Sequence, residues 1–256
     1  MKKLPQNIKI YKKLLKYPPF VCQRRAGIME IVHNLTNGGS VTIIAPEAVT
    51  TEDGEKLYVL CYIAQKNNTC NLVETEKFGT IAELTCNINE IRKIVNNNDD
   101  KSIVNSLKRI TGITIAFDFK NKKRTLHIIS DTKYNAVTGE INVLMSLTMF
   151  NNFIKRPFNI DIENYAKLSP VGKNLYCYIV SNSARDFTEK LLIERAVIRS
   201  SRYNDCQRTL KKALDELKEK HIIKDFETKK NNGQRHIIIN KYGEKTLSVA
   251  LAKHYP

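Results

Sequence analysis

Residues 201–220 read SRYNDCQRTLKKALDELKEK, and the spacing of their apolar side chains decides the fold. At about 100° per residue, Tyr203, Cys206, Leu210, Ala213, Leu214 and Leu217 fall on one side of a helix. Ser201, Asn204, Asp205, Arg208, Lys212 and Asp215 fall opposite. Such a helix lays its stripe on a core and shows the other face to solvent. Ser200 or Ser201 is expected to open it and Lys220 to close it. Two strands are expected next, 222–227 and 234–240, joined by Thr228-Lys229-Lys230-Asn231-Asn232-Gly233, a composition made for a hairpin turn. Upstream lie three shorter helices: 161–168 capped by Asp161, 170–182 carrying Leu175, Tyr176, Tyr178 and Ile179, and 188–197. A helical tail is expected over 243–254. The core stripe should meet Leu191 and Ile198 on one side and Ile222 and Ile238 on the other.

The same order occurs earlier in the chain. Ile88, Ile91, Ile94 and Val95 predict a helix over 87–95 that stops at Asn96-Asn97-Asn98, because Asn favours turns over helix interiors. Asp99 or Asp100 caps a second helix carrying Ile103, Val104, Leu107 and Ile110, and Thr111-Gly112 ends it. Strands over 113–119 and 125–130 follow, joined by Lys120-Asn121-Lys122-Lys123-Arg124. Ahead of this copy stand a strand at Val41-Thr42-Ile43-Ile44, after the turn signal Asn37-Gly38-Gly39, and a buried helix over 57–65 opened by Asp53-Gly54-Glu55. Residues 80–84 are too short a run to assign. The copies lie about 100 residues apart, beyond the roughly 20 to 50 of stacked repeats. The expected fold is therefore α+β, two winged-helix domains in tandem, the first with a β-rich N-terminal insertion. A flexible basic arm over 1–20, an N-terminal domain over 21–157 and a C-terminal domain over 158–256 are expected, with the boundary at Lys155-Arg156-Pro157, where proline breaks a helix running over 147–154.

Composition bounds the function. The 256 residues hold 42 Lys and Arg against 26 Asp and Glu, a formal charge of +16. A charge of this size favours a polyanionic partner, nucleic acid or an anionic surface, because counterion release rewards each cation placed beside a phosphate. With 42% apolar residues the chain can build real cores, which excludes wholesale disorder and collagen. No apolar run approaches the roughly 18 residues of a membrane helix, and nothing apolar follows Met1-Lys2-Lys3, so a cytoplasmic protein is expected. The six cysteines form no C-x-x-C pair, so reduced, mostly buried thiols are expected and no zinc ribbon. No cofactor and no metal are expected.

A major groove about 12 Å wide admits one helix whose N-terminal side chains meet base edges. In the second copy those side chains are Ser201, Arg202, Asn204, Arg208, Lys211 and Lys212, with Lys229, Lys230 and Arg235 at the wing tip for the backbone or minor groove. In the first copy they are Lys101, Asn105, Lys108 and Arg109, on a domain that serves dimerisation, DNA contact or both. Catalytic patterns are missing. His33, His127, His221, His236 and His254 form no His-x-His pair of the kind rolling-circle nicking needs. Pro170-Val171-Gly172-Lys173-Asn174 is not a phosphate loop, since Lys167 stands where glycine is required and Asn174 where a hydroxyl should hold magnesium. Asp161-Ile162-Glu163 reads as a helix start rather than a metal pair.

Three blocks together resemble a known family. They are residues 103–115 (IVNSLKRITGITI), Phe158-Asn159-Ile160-Asp161 with residues 168–176 (LSPVGKNLY), and residues 207–217 (QRTLKKALDEL). They look like plasmid replication initiators of the iteron-binding, paired winged-helix type, over roughly 87–240. The resemblance implies binding of short direct repeats at an origin, a monomer and homodimer equilibrium, and recruitment of a host initiator and the replicative helicase. A winged-helix repressor shares the same features. A nucleic-acid enzyme, a primase or nuclease, is the reading from another class.

Overall fold

The protein is described by a computed structural model over residues 7–11, 19–22, 27–34, 39–76, 79–119, 122–147, 150 and 157–242. Strand β1 (Asn7–Tyr11) comes first, then β2 (Met29–Asn34) and β3 (Ser40–Ala45), which form an antiparallel pair. Helix α1 (Thr51–Lys66) follows, opened by a capping box in which Asp53 accepts the Thr50 N–H at 2.8 Å. Twelve of its sixteen residues are buried, as its unbroken apolar run foretells. Then come β4 (Cys70–Thr75), β5 (Gly79–Asn87), α2 (Ile88–Val95) and α3 (Asp100–Thr111). Asn87 caps α2 and Asp99 caps α3, each accepting a backbone N–H two residues on. Gly112 ends α3 with φ −76°, so it supplies no left-handed turn. Its role is clearance: a Cβ there would stand 2.8 Å from Pro46.

The hairpin expected after α3 is present as β6 (Thr114–Phe119) and β7 (Lys122–His127), but it belongs to a different sheet from the one foreseen. It extends β2 and β3 into a four-stranded sheet of order β2-β3-β6-β7. The next two strands, β8 (Ile129–Asn135) and β9 (Glu140–Ser146), pair with the strand that precedes the helix pair and give the order β4-β5-β9-β8. A bulge between Ile129 and Asp131 breaks the alternation of β8, which hides this strand from a period-of-two reading. Residues 120 and 121, at the tip of the first hairpin, lie outside the described residues, as does most of the helix expected over 147–154.

The second half runs β10 (Pro157–Asp161), α4 (Ile162–Ala166), α5 (Pro170–Ser181), β11 (Asp186–Thr188), α6 (Glu189–Arg195), α7 (Tyr203–Glu219), β12 (Asp225–Asn231) and β13 (Gln234–Asn240). Asp161, Ser169 and Thr188 cap the three helices before α7 through their side-chain oxygens. Sheet order here is β11-β13-β12. Both halves thus run from a strand through two helices to a hairpin whose last strand returns beside the first, β5 next to β9 and β11 next to β13, with β6–β7 inserted before that hairpin in the first half. The tail expected over 243–254 lies outside the described residues.

Two expectations about independence are corrected. Residues 7–11 of the supposed flexible arm pair antiparallel with Pro157–Asp161, and Pro19 and Phe20 are buried, while 1–6 and 12–18 lie outside the described residues. The two halves also share a core instead of keeping separate ones. A Cβ on Gly54 would meet the Phe20 ring at 2.3 Å, so this glycine lets the ring lie on α1. Phe20 stacks edge-on to Tyr58, Tyr58 touches Tyr165, and Tyr165 touches Tyr176, with centroids 5.9, 5.5 and 6.2 Å apart. Beside this aromatic row Lys173 and Glu55 form an ion pair at 2.8 Å, with side chains 6% and 9% exposed.

Candidate nucleic-acid interface

Helix α7 starts at Tyr203, the first residue of its apolar stripe, and is opened by Arg202 rather than by Ser200 or Ser201. Arg202 occupies the N-cap with extended backbone and no side-chain cap, and its N–H donates to the Ser200 hydroxyl at 3.2 Å, which leaves Ser201 outside the helix. The stripe packs as expected through Cys206, Leu210, Ala213, Leu214 and Leu217, all buried, whereas Tyr203 at its outer end is 52% exposed. Leu191 and Ile198 pack against this core and Ile222 is part of it. On β13 the core-facing residues are Ile237 and Ile239, which corrects Ile238: alternation along a strand sends neighbours to opposite faces.

The opposite face of α7 holds Asn204, Arg208, Lys211 and Lys212, all exposed and spread over an arc of roughly 100° at about 100° per residue. Ser201 and Arg202 are exposed just ahead of it. Arg208, with 72% of its side chain exposed, stands 3.7 Å from Asp205, a loose pair one turn away. The hairpin beside it turns at Asn232 and Gly233, with φ 48° and 76°, the two positive values a tight two-residue turn demands. The strands therefore run closer to the tip than expected, and cross-strand register sets Lys230 opposite Arg235 and Lys229 opposite His236. Like charges directly opposed weaken a hairpin unless something neutralises them. Lys229 finds Glu227 at 3.1 Å, and both are at least half exposed.

Arg235 is occupied inward. Its Nε lies 3.2 Å from Oε2 of Glu189, whose side chain is 4% exposed. The other oxygen of Glu189 accepts from the Tyr203 hydroxyl at 3.1 Å and from Gln207 Nε2 at 2.5 Å. Burial raises the Tyr203 hydroxyl pKa, and the hydrogen bond to Glu189 raises it further. One buried carboxylate thus ties the first turn of α6 to the exposed helix and to the hairpin. No periodicity or motif marks Glu189, because an acid in a first helical turn reads only as a partner of the helix dipole.

In the first half, Lys101, Asn105 and Lys108 are exposed on α3 as expected. Arg109 is not part of that face. It grips the carboxylate of Asp53, with Nη2 at 2.6 Å and Nε at 3.3 Å, and also donates to Ser106 at 3.1 Å. Burial alone would raise the Asp53 carboxyl, but hydrogen bonds from Arg109 and the Thr50 N–H outweigh it and hold the pKa below the usual range. Arg109 is a clamp on the start of α1. The hairpin in the position of β12–β13 is β8–β9, whose tip carries Val137, 95% exposed, where a basic tip was expected.

The rejected catalytic patterns have structural roles. Gly172 leaves room for Glu216, which receives the Ser169 N–H at 2.7 Å and its hydroxyl at 2.6 Å. Lys173 is held by Glu55, and Asn174 donates to the Phe20 carbonyl at 3.0 Å. Among the described residues no group of three or more His, Cys, Asp or Glu could hold a metal ion. None of the six cysteines is in a disulfide, and four are buried. Among the described residues no helix is long and apolar enough to cross a membrane. The fold is α+β. Comparison with known protein families finds no match, and comparison with curated proteins finds none either.

Proposed function

We propose that this chain is a non-enzymatic, sequence-specific binder of double-stranded DNA, built from two winged-helix units in tandem, that initiates plasmid replication from direct repeats at an origin. The observation that carries the reading is the exposed face of α7, where Asn204, Arg208, Lys211 and Lys212 stand beside a hairpin that exposes Lys229 and Lys230. Arg and Asn can each grip one base edge with two hydrogen bonds, and Lys holds phosphate. The repeated connection and the strand order β11-β13-β12 support the winged-helix reading, and a charge of +16 supports a polyanionic partner. Origin recognition, a homodimer and host initiator and helicase as partners rest on the family resemblance. Footprinting on the DNA flanking the chain's own gene tests the proposal: protected direct repeats are expected, and uniform coverage without a preferred site sinks it. Replication of a plasmid carrying those repeats, made dependent on this protein, separates initiation from repression.

A further inference from the structure

Between the first turns of α1 and the length of α3 lies a cleft of about 420 Å³ whose rim includes Cys22, Glu52, Lys101 and Asn105. Lys56 lines it. This lysine is 7% exposed, and its ammonium makes no hydrogen bond or ion pair with any of the described residues. The carboxylates around the cleft are engaged or out at the surface: Asp53 is clamped by Arg109, Asp99 caps α3 through the Lys101 N–H at 3.0 Å, and Glu52 is exposed. Lys56 is thus a mostly buried lysine on the wall of the cleft with no partner among the described residues, and a cation so placed favours an anionic oxygen in the cleft.

Other donors converge on the same space. The N-termini of α1 and α3 both border it, and helix N-termini carry partial positive charge and outward N–H groups. Lys101 adds a second ammonium, and Ser102 and Asn105 add a hydroxyl and an amide. Donors arriving from two helices suit an anion with oxygens on several sides more than a flat carboxylate. The geometry points to a phosphate-binding site in this cleft, with Lys56 as its buried anchor and Lys101 at its mouth. The phosphate belongs either to a DNA backbone lying along α3 or to a free phosphate compound, and the site does not require the DNA reading above.

Isothermal titration of the full chain with inorganic phosphate, in chloride buffer of matched ionic strength and without DNA, tests it. Saturable binding is expected. Lys56→Met should weaken it at least tenfold and Lys101→Gln several-fold, while Lys167→Gln, exposed at the end of α4, should leave it unchanged. Lys101 is exposed, so its variant answers the question even if Lys56→Met fails to fold. Titration onto random duplex DNA distinguishes the two sources. If a backbone phosphate fills the cleft, inorganic phosphate displaces the DNA, and Lys56→Met flattens the salt dependence of DNA binding by about one counterion. If a free compound fills it, phosphate binds equally well with DNA present. Absence of saturable phosphate binding together with unchanged DNA affinity in Lys56→Met overturns the site, and so does equal weakening by Lys167→Gln. Failure of any DNA binding would overturn the proposed function while the phosphate titration still decides this site.

Discussion

Arg208 and Lys229 are both exposed cations, yet under the proposed DNA-binding function their positions predict different work. Arg208 projects from the second turn of α7 with only a loose Asp205 partner, whereas Lys229 sits on the hairpin beside Glu227. Arg208→Ala should cost about 1 to 3 kcal/mol on the specific DNA site and little on random DNA, as loss of a two-bond guanine contact would. Lys229→Ala should weaken both alike, and equal losses on both DNAs for the two variants would remove the division. Arg109 is a third case, since its place along the helix puts it among the cations expected to face DNA and the structure gives it to Asp53. Arg109→Ala leaves a carboxylate whose side chain is 1% exposed without its main partner, a change of about 3 to 5 kcal/mol in stability near neutral pH. Because the folded pKa of Asp53 is depressed, its contribution is complete above the unfolded value of 3.8 and is lost as pH falls through the folded value. The difference between wild type and Arg109→Ala in urea denaturation should therefore shrink below pH 4, and a constant difference down to pH 2 would show that the pair does not carry it.

At the scale of elements, the angle between α7 and its hairpin is held by one residue that belongs to neither. Glu189 receives Tyr203 and Gln207 from the helix and Arg235 from β13. Glu189→Gln keeps the shape but replaces one acceptor oxygen with a donor, so at least one of the three partners loses its bond. Specific DNA affinity should drop about tenfold, the equivalent of roughly 1.4 kcal/mol, with random DNA affected less, because reading base edges depends on the fixed placement of helix and hairpin. A binding assay on both DNAs checks this, and an unchanged ratio of specific to random affinity would mean the hub is only structural. The apolar stripe of α7 was legible from sequence because a helix repeats its faces locally. The sheet membership of β6–β7 was not, since strand pairing joins residues distant in sequence, such as Val41 and Phe117, and no local pattern states which hairpin closes which sheet.

Across the whole molecule the two halves are bound into one body by the row Phe20, Tyr58, Tyr165 and Tyr176 and by the buried Lys173–Glu55 pair. Further bonds cross where Arg195 and Arg199 donate to the carbonyls of Asn34 and Glu30, at 2.8 and 2.5 Å, along the edge of β2. Leu214→Ala should destabilise the protein by about 2 to 5 kcal/mol, through lost burial and the cavity left behind. With a shared core the loss should appear as one cooperative transition displaced as a whole, followed by calorimetry. Two separate transitions would mean that the halves melt independently despite their contact.

From its sequence alone this chain determined its α+β class, the extents of α2, α3 and α5 to within a few residues, the presence but not the start of α1, the cap at Asp161, a cap of α3 at Asp99 or Asp100, and the basic face of α7. These depend on periodicity, capping chemistry and charge, which act between residues at most a few positions apart. Tertiary structure alone decided which hairpin returns beside the strand that precedes each helix pair, that Arg109 and Arg235 turn inward to acids while Arg208 faces out, that Lys56 is mostly buried with no partner among the described residues, and that the halves share a core. An arginine looks the same in sequence whether its guanidinium meets solvent or a buried carboxylate. The difference lies in which distant acid the fold brings within 3 or 4 Å, and Asp53 and Arg109 are 56 residues apart along the chain.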